Sequence, residues 1–183
     1  MASPIRRRLL VAAALFPVAP AFAQTRALTC GALTEAQTEG PFFKTDTPHR
    51  ASFVEAGSKA PRLLVSGRVL SAGCRPVANA LLDFWHADAD GEYDNAGFRY
   101  RGHQFSDAEG RYRLLTNVPA EYPGRARHIH VKVQAPGKRV LTTQLYFPGE
   151  AGNRRDGLWR RDLEMRVAPG AVAEGAFDFV VEA

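Results

Sequence analysis

The sequence predicts an all-β protein, an antiparallel β-sandwich with long active-site loops. Three observations predict it. Short runs with strand-like patterning recur along residues 61–183. Clusters of Gly, Pro, Asn and Asp punctuate them. No segment keeps a 3.6-residue apolar period long enough for a substantial helix.

The elements follow in order. Residues 63–70 form the first run, and Gly73-Cys74-Arg75-Pro76 is a turn signal. Residues 80–85 form the second, and residues 88–110 read as a long loop rich in Asp and Gly. Extended patterning resumes over 111–116 and breaks at a loop over 119–124. Residues 128–133 alternate strictly, 140–147 form another run, and Pro148-Gly149 stops it. Residues 163–167 and 177–181 supply the last two strands. The stretch 24–60 is mixed and weakly patterned, an N-terminal segment ahead of a sandwich domain over 61–183.

Residues 1–23 read as a signal peptide. Arg6, Arg7 and Arg8 precede an apolar run over 9–18, and Ala21-Phe22-Ala23 is a small-x-small cleavage site before Gln24. The run is short for a membrane anchor, and no later segment is a candidate. Both the general secretory and the twin-arginine routes fit, and an uncleaved anchor is the rival reading. The expected location is periplasmic or secreted. Without the three signal arginines, 21 of the 24 basic residues face 19 acidic ones, so the domain is nearly neutral. No basic cluster interleaves with aromatics, which argues against a nucleic-acid partner. Cys30 and Cys74 could pair in an oxidising compartment, or stand as free buried thiols.

His128-Ile129-His130 is the sharpest chemical feature. On a strand both imidazoles project to one face while Ile129 turns to the other. Two histidines so placed can grip one metal. Acidic side chains near the pair are few, but Tyr122 lies six residues before His128, and Tyr93 follows the run at 80–85. A phenol suits a trivalent hard cation better than a divalent one, because its ordinary pKa is near 10. Spacing alone does not choose these two over Tyr100, Tyr112 or Tyr146.

From about residue 38 to 150 the sequence resembles the intradiol ring-cleavage dioxygenases, the family of catechol 1,2-dioxygenase and protocatechuate 3,4-dioxygenase. Val65-Ser66-Gly67-Arg68-Val69, Leu82-Asp83-Phe84-Trp85 and Gly91-Glu92-Tyr93 look like the family signature. Asp107-Ala108-Glu109-Gly110-Arg111-Tyr112, Arg125-Ala126-Arg127-His128-Ile129-His130 and Gln144-Leu145-Tyr146-Phe147 follow in family order. Glu39-Gly40-Pro41-Phe42-Phe43 resembles its Gly-Pro-aromatic element.

The resemblance implies non-haem Fe(III) held by Tyr93, Tyr122, His128 and His130. It implies a catechol-type substrate, opened with O2 between its hydroxyl carbons to a muconate-type diacid. Tyr122 would be both ligand and catalytic base. Arg125 would bind substrate and stabilise charge on the ring, with Gln144 and Pro41 also lining the substrate. A homo-oligomer or a partner subunit stays open, and no membrane contact is expected after signal cleavage. Two rivals remain at this stage. One is a zinc enzyme using His128, His130 and His86 or His103. The other is a non-catalytic exported β-sandwich binding module.

Overall fold

A computed structural model describes residues 30–183; the expected signal peptide lies outside the described residues. The described elements are β1 (Arg62–Ser71), β2 (Leu81–Trp85), β3 (Arg101–Phe105), β4 (Arg111–Asn117), β5 (His128–Gln134) and β6 (Leu141–Tyr146). A 3-10 turn (Arg161–Leu163), β7 (Arg166–Ala168), β8 (Val172–Ala176) and β9 (Phe179–Val181) complete them. They build two sheets, one ordered β3-β2-β5-β6 and the other β4-β1-β8-β7, with β9 also on β1.

The all-β sandwich expected from the sequence is present. The first sheet is antiparallel throughout. The second is mixed, because β1 takes β8 and β9 in parallel. β8 pairs with residues 62–66 of β1 and β9 with residues 69–71. Between them the register is unchanged, and at Gly67 the partner backbone comes so close that an added Cβ would stand 1.6 Å from the Phe177 carbonyl oxygen. This junction is tied by Phe177 N–H to Ser66 O (3.0 Å) and Arg68 N–H to Asp178 Oδ1 (2.8 Å).

Alternating apolar residues of both sheets close one core. Leu63, Val65 and Val69 from β1 join Leu82, Phe84, Ile129, Val131, Val133, Leu145 and Phe179 in it. Each such side chain contributes about 1.5–3 kcal/mol when taken out of water.

Two strands lie where the sequence pattern showed none. β3 falls inside the expected 88–110 loop. Its residues Arg101-Gly102-His103-Gln104-Phe105 carry no apolar alternation, yet they pair along β2 as an edge strand. β8 is Val-Ala-Glu-Gly-Ala, equally weak in pattern, and is held by ladders to β1 and β7. The expected strand at 163–167 begins instead as the 3-10 turn, with β7 starting at Arg166.

The other face of the first sheet carries a row in register: Arg101 on β3, Trp85 on β2, His130 on β5 and Gln144 on β6. This row is buried as well. The described part of the N-terminal segment crosses over it as a strap. Gln37 N–H bonds Thr142 O at one sheet edge (2.8 Å), and Arg50 N–H bonds His103 O at the other (2.9 Å). The segment then gives Phe53 to the main core. Thus β5 is covered on both faces, and the covered polar face is where the site forms. Among the described residues no helix is long and apolar enough to cross a membrane.

Candidate metal centre and active site

Two loops bring tyrosines over the His128–His130 face. After β2 the chain turns at Asp88, whose carboxylate accepts from the Asp90 and Glu92 amides, both at 2.9 Å. Gly91 sits at φ +84° in that turn, and a Cβ there would meet Glu121 O at 2.6 Å. The Tyr93 loop therefore packs directly on the Tyr122 loop. Ala120 N–H to Asp88 O (2.9 Å) ties the two together. Tyr122 begins a tight turn through Pro123 and Gly124, closed by Arg125 N–H to Tyr122 O (2.9 Å).

The four expected ligand residues converge. His128 Nε2 lies 3.0 Å from His130 Nε2 and 3.4 Å from the Tyr93 hydroxyl. The Tyr122 ring lies 5.8 Å from that of Tyr93 and 5.9 Å from that of His128. The strap completes the enclosure. Phe42 stacks on Tyr93 at 4.4 Å, and Gly40 passes so close that an added Cβ would lie 3.6 Å from His130 Cε1. Trp85 stacks on His130 at 4.7 Å, its ring 5° from parallel.

Protonation follows from the partners. His128 Nδ1 is 2.6 Å from Ala126 O, a group that can only accept, so Nδ1 carries the proton and Nε2 presents its lone pair. Burial, and then the nearby Arg125 charge, lowers His128 to about 4. Burial, and then His128, holds His130 well below its ordinary value. Both imidazoles are neutral at pH 7, as ligands must be. Burial, with Tyr122 next, pushes the Tyr93 phenol well above its ordinary value. A strong cation is needed to make that phenol a phenolate.

These residues fit a trivalent, oxygen-preferring ion: two lone-pair nitrogens and two phenols, with nitrogens and one hydroxyl close enough to share a single cation. The zinc reading finds no third ligand. Among the described residues, no group of three His, Cys, Asp or Glu could hold a metal ion. His86 spends both nitrogens, on Ala87 O (2.6 Å) and Thr116 Oγ1 (2.7 Å). His103 is turned to Thr47 Oγ1 (3.2 Å) and stacks with His49.

Arg125 stands beside Tyr122, its guanidinium carbon 6.0 Å from the ring centre. Its Nε donates to both Asp156 oxygens (3.1 and 3.0 Å), and its Nη2 donates to Gln144 Oε1 (2.5 Å) and the Tyr146 hydroxyl (3.3 Å). Gln144 lies behind Arg125. It is fully buried, its oxygen accepts from Arg125 and Tyr146, and its amide donates to Thr38 O (3.1 Å). Here it fixes Arg125 and the strap. Pro41 is exposed on the strap, between Gly40 over His130 and Phe42 on Tyr93. Arg127 pairs with Glu150 at 2.9 Å, an ordinary half-exposed ion pair. A cavity of about 420 Å³ lies beside Tyr122, Arg125, Arg155 and Asp156, within the size range of small-molecule pockets.

Sequence reasoning missed Asp156, Tyr146 and Arg101. Asp156 and Tyr146 hold Arg125, and Arg101 lies by Tyr93, 5.9 Å from its ring centre. Only Tyr146 lay inside a quoted motif, and nothing there signalled its hydroxyl.

A family model described as Dioxygenase matches residues 38–182. The beta chain of protocatechuate 3,4-dioxygenase from Burkholderia cepacia is 40% identical over 108 residues, covering 49% of this chain and 46% of that one. Chlorocatechol 1,2-dioxygenase from Cupriavidus pinatubonensis is 29% identical over 202 residues, covering 88% of this chain and 75% of that one. Among solved structures, the dioxygenase domain of a dioxygenase–carbohydrate-binding protein fusion from Streptomyces sp. SirexAA-E superposes with a TM-score of 0.80 at 53% identity. It covers 82% of this chain and 99% of that domain. This chain belongs to the intradiol ring-cleavage dioxygenase family. It spans about half the length of the protocatechuate relative it matches.

Proposed function

We propose that the protein is an exported Fe(III)-dependent intradiol dioxygenase, taking a catechol-type diol and O2 to a muconate-type diacid. The observation that carries this is the convergence of Tyr93, Tyr122, His128 and His130 beside Arg125. When bound, Fe(III) supplies the Lewis acidity and electron acceptance that let O2 react with a bound catecholate.

The protein's own groups do the rest. His128, His130 and Tyr93 hold their places, each packed beneath the strap. Tyr122 is half-buried on a short turn and is the ligand free to swing aside. Its phenolate oxygen takes a proton from an incoming catechol hydroxyl. Arg125, immobilised by Asp156 and Gln144, offers its guanidinium to negative charge on the substrate ring. Phe42 and Trp85 keep water from the tyrosine and histidine faces they cover.

Export is supported by the basic and apolar pattern of residues 1–23 and by the Cys30–Cys74 disulfide. Protein recovered from expressing cells should begin at Gln24; a chain still starting at Met1 argues against export.

The activity test adds a catechol without O2 to iron-loaded protein, then admits O2. A catecholate absorption band should form, then decay as diacid is released. Tyr122→Phe should alter the resting colour and slow the reaction. No band and no diacid across a panel of simple catechols would falsify the reading. Retained zinc with no bound iron would count against it equally.

A further inference from the structure

Arg101 opens β3 and is 1% exposed. Its register with Trp85 places it on the row that carries His130. Its Nε donates to Asp94 O at 3.0 Å, and its Nη1 donates to Phe42 O. Its Nη2 is buried without a hydrogen-bond partner. The partners of this guanidinium among the described residues are thus neutral carbonyls. Its carbon lies 5.9 Å from the centre of the Tyr93 ring.

The two carbonyls are informative. Asp94 directly follows Tyr93, and Phe42 is the ring stacked on Tyr93 at 4.4 Å. One rigid guanidinium fork therefore grips the backbone on both sides of that stack. A buried positive charge is costly, and less so the more negative charge stands near it. Fully enclosed arginines are normally paired. The Asp94 carboxylate accepts from the Ala96, Gly97 and Arg99 amides, so it and the buried Asp83 carboxylate act on Arg101 through space and not through a hydrogen bond.

We propose that Arg101 is a positioning residue for Tyr93: its fork fixes the ring against Phe42, and its charge answers the phenolate that Tyr93 becomes on binding iron. This rests on the Fe(III) reading above. It gives the two tyrosine ligands unequal surroundings. Each has a guanidinium beside it, Arg101 for Tyr93 and Arg125 for Tyr122. Arg101 also grips the carbonyls of Asp94 and Phe42 on either side of the Tyr93 stack, so that ring is held, whereas Tyr122 lies on a half-exposed turn and can leave. The asymmetry between the permanent and the departing tyrosine is then built into the protein matrix.

The test compares iron-loaded wild type with Arg101→Met, Arg101→Gln and Arg101→Lys, by visible absorption and by competition for iron with a chelator. Met and Gln remove the charge. Without it the phenolate donor level rises, so the tyrosinate-to-iron band should move to longer wavelength. Iron should be held about tenfold more weakly, the scale of one charge-assisted contact. Lys keeps the charge and should hold the band near its wild-type position. A purely structural role would lower the melting temperature of the iron-free variants but leave the band in place. If the Met variant does not fold, Gln, which can still donate to the Phe42 carbonyl, decides the matter. A wild-type band that neither Met nor Gln moves overturns this inference alone. A wild type with no tyrosinate band overturns the iron reading and this inference together.

Discussion

Arg125 has a 14% exposed side chain against an Asp156 carboxylate that is 1% exposed. That carboxylate also accepts from Ala126 N–H (2.9 Å) and Leu158 N–H (2.9 Å). It therefore fixes both the arginine and the backbone leading into β5. Asp156→Asn keeps the shape but removes the charge and one acceptor. Half-breaking a pair this enclosed should cost about 2–4 kcal/mol of stability. The ligand set is untouched, so the iron–tyrosinate band should persist while turnover falls. Thermal melts, spectra and kinetics on one preparation check this. Loss of the band would mean that Asp156 acts on the metal ligands and not through Arg125. At this scale the sequence was partly legible. His128 and His130 declared themselves by strand alternation, and the tyrosines by motif position. Asp156 and Arg101 did not, because their partners are distant in sequence and reach them only after folding. Gln144 was legible as polar and near, but saturation of its amide depends on three groups from three segments.

Gly67 shows how one residue sets the behaviour of three strands. β1 serves β8 before it and β9 after it, and the switch needs the Phe177 carbonyl to approach where a side chain would be. Gly67→Ala should destabilise by about 3 kcal/mol, the upper range for forcing atoms into a packed site. Gly73→Ala is the control: the nearest neighbour of its added Cβ would be Ser71 Oγ at 3.9 Å, and the change should be nearly neutral. Denaturant titration of both variants separates them, and equal losses would refute the close-approach account. Strand patterning found β1, β2, β4, β5, β6 and β9 because each gives apolar side chains to the core. It missed β3 and β8 because pairing there is carried by backbone ladders with little apolar side-chain signal. The parallel pairing of β8 and β9 was equally silent, since period-two alternation is the same for either direction.

At the scale of the whole molecule, the N-terminal segment is what makes a polar sheet face into a buried site. Its attachment is redundant. Cys30–Cys74 closes a separation of 44 residues at one end. Nearer the site, Thr34 N–H bonds Val180 O (2.9 Å), Gln37 N–H bonds Thr142 O (2.8 Å), and Gln144 Nε2 bonds Thr38 O (3.1 Å). The disulfide is therefore a stability element, and the hydrogen bonds set the position of Phe42 over Tyr93. Replacing both cysteines by serine should lower stability by about 4 kcal/mol on the loop-entropy account. The melting temperature should fall by about 8–16 °C, and reductant should bring wild type to the same value. Iron content and the tyrosinate band should survive in the folded double variant, because the strap is still pinned at 34, 37 and 38. Calorimetry with and without reductant, alongside the visible spectrum, reads both halves. A band lost together with the disulfide would show that the Cys30 end, ten residues from Gly40, holds the roof of the site. The hydrogen bonds between would then be consequences of that anchor, not anchors themselves.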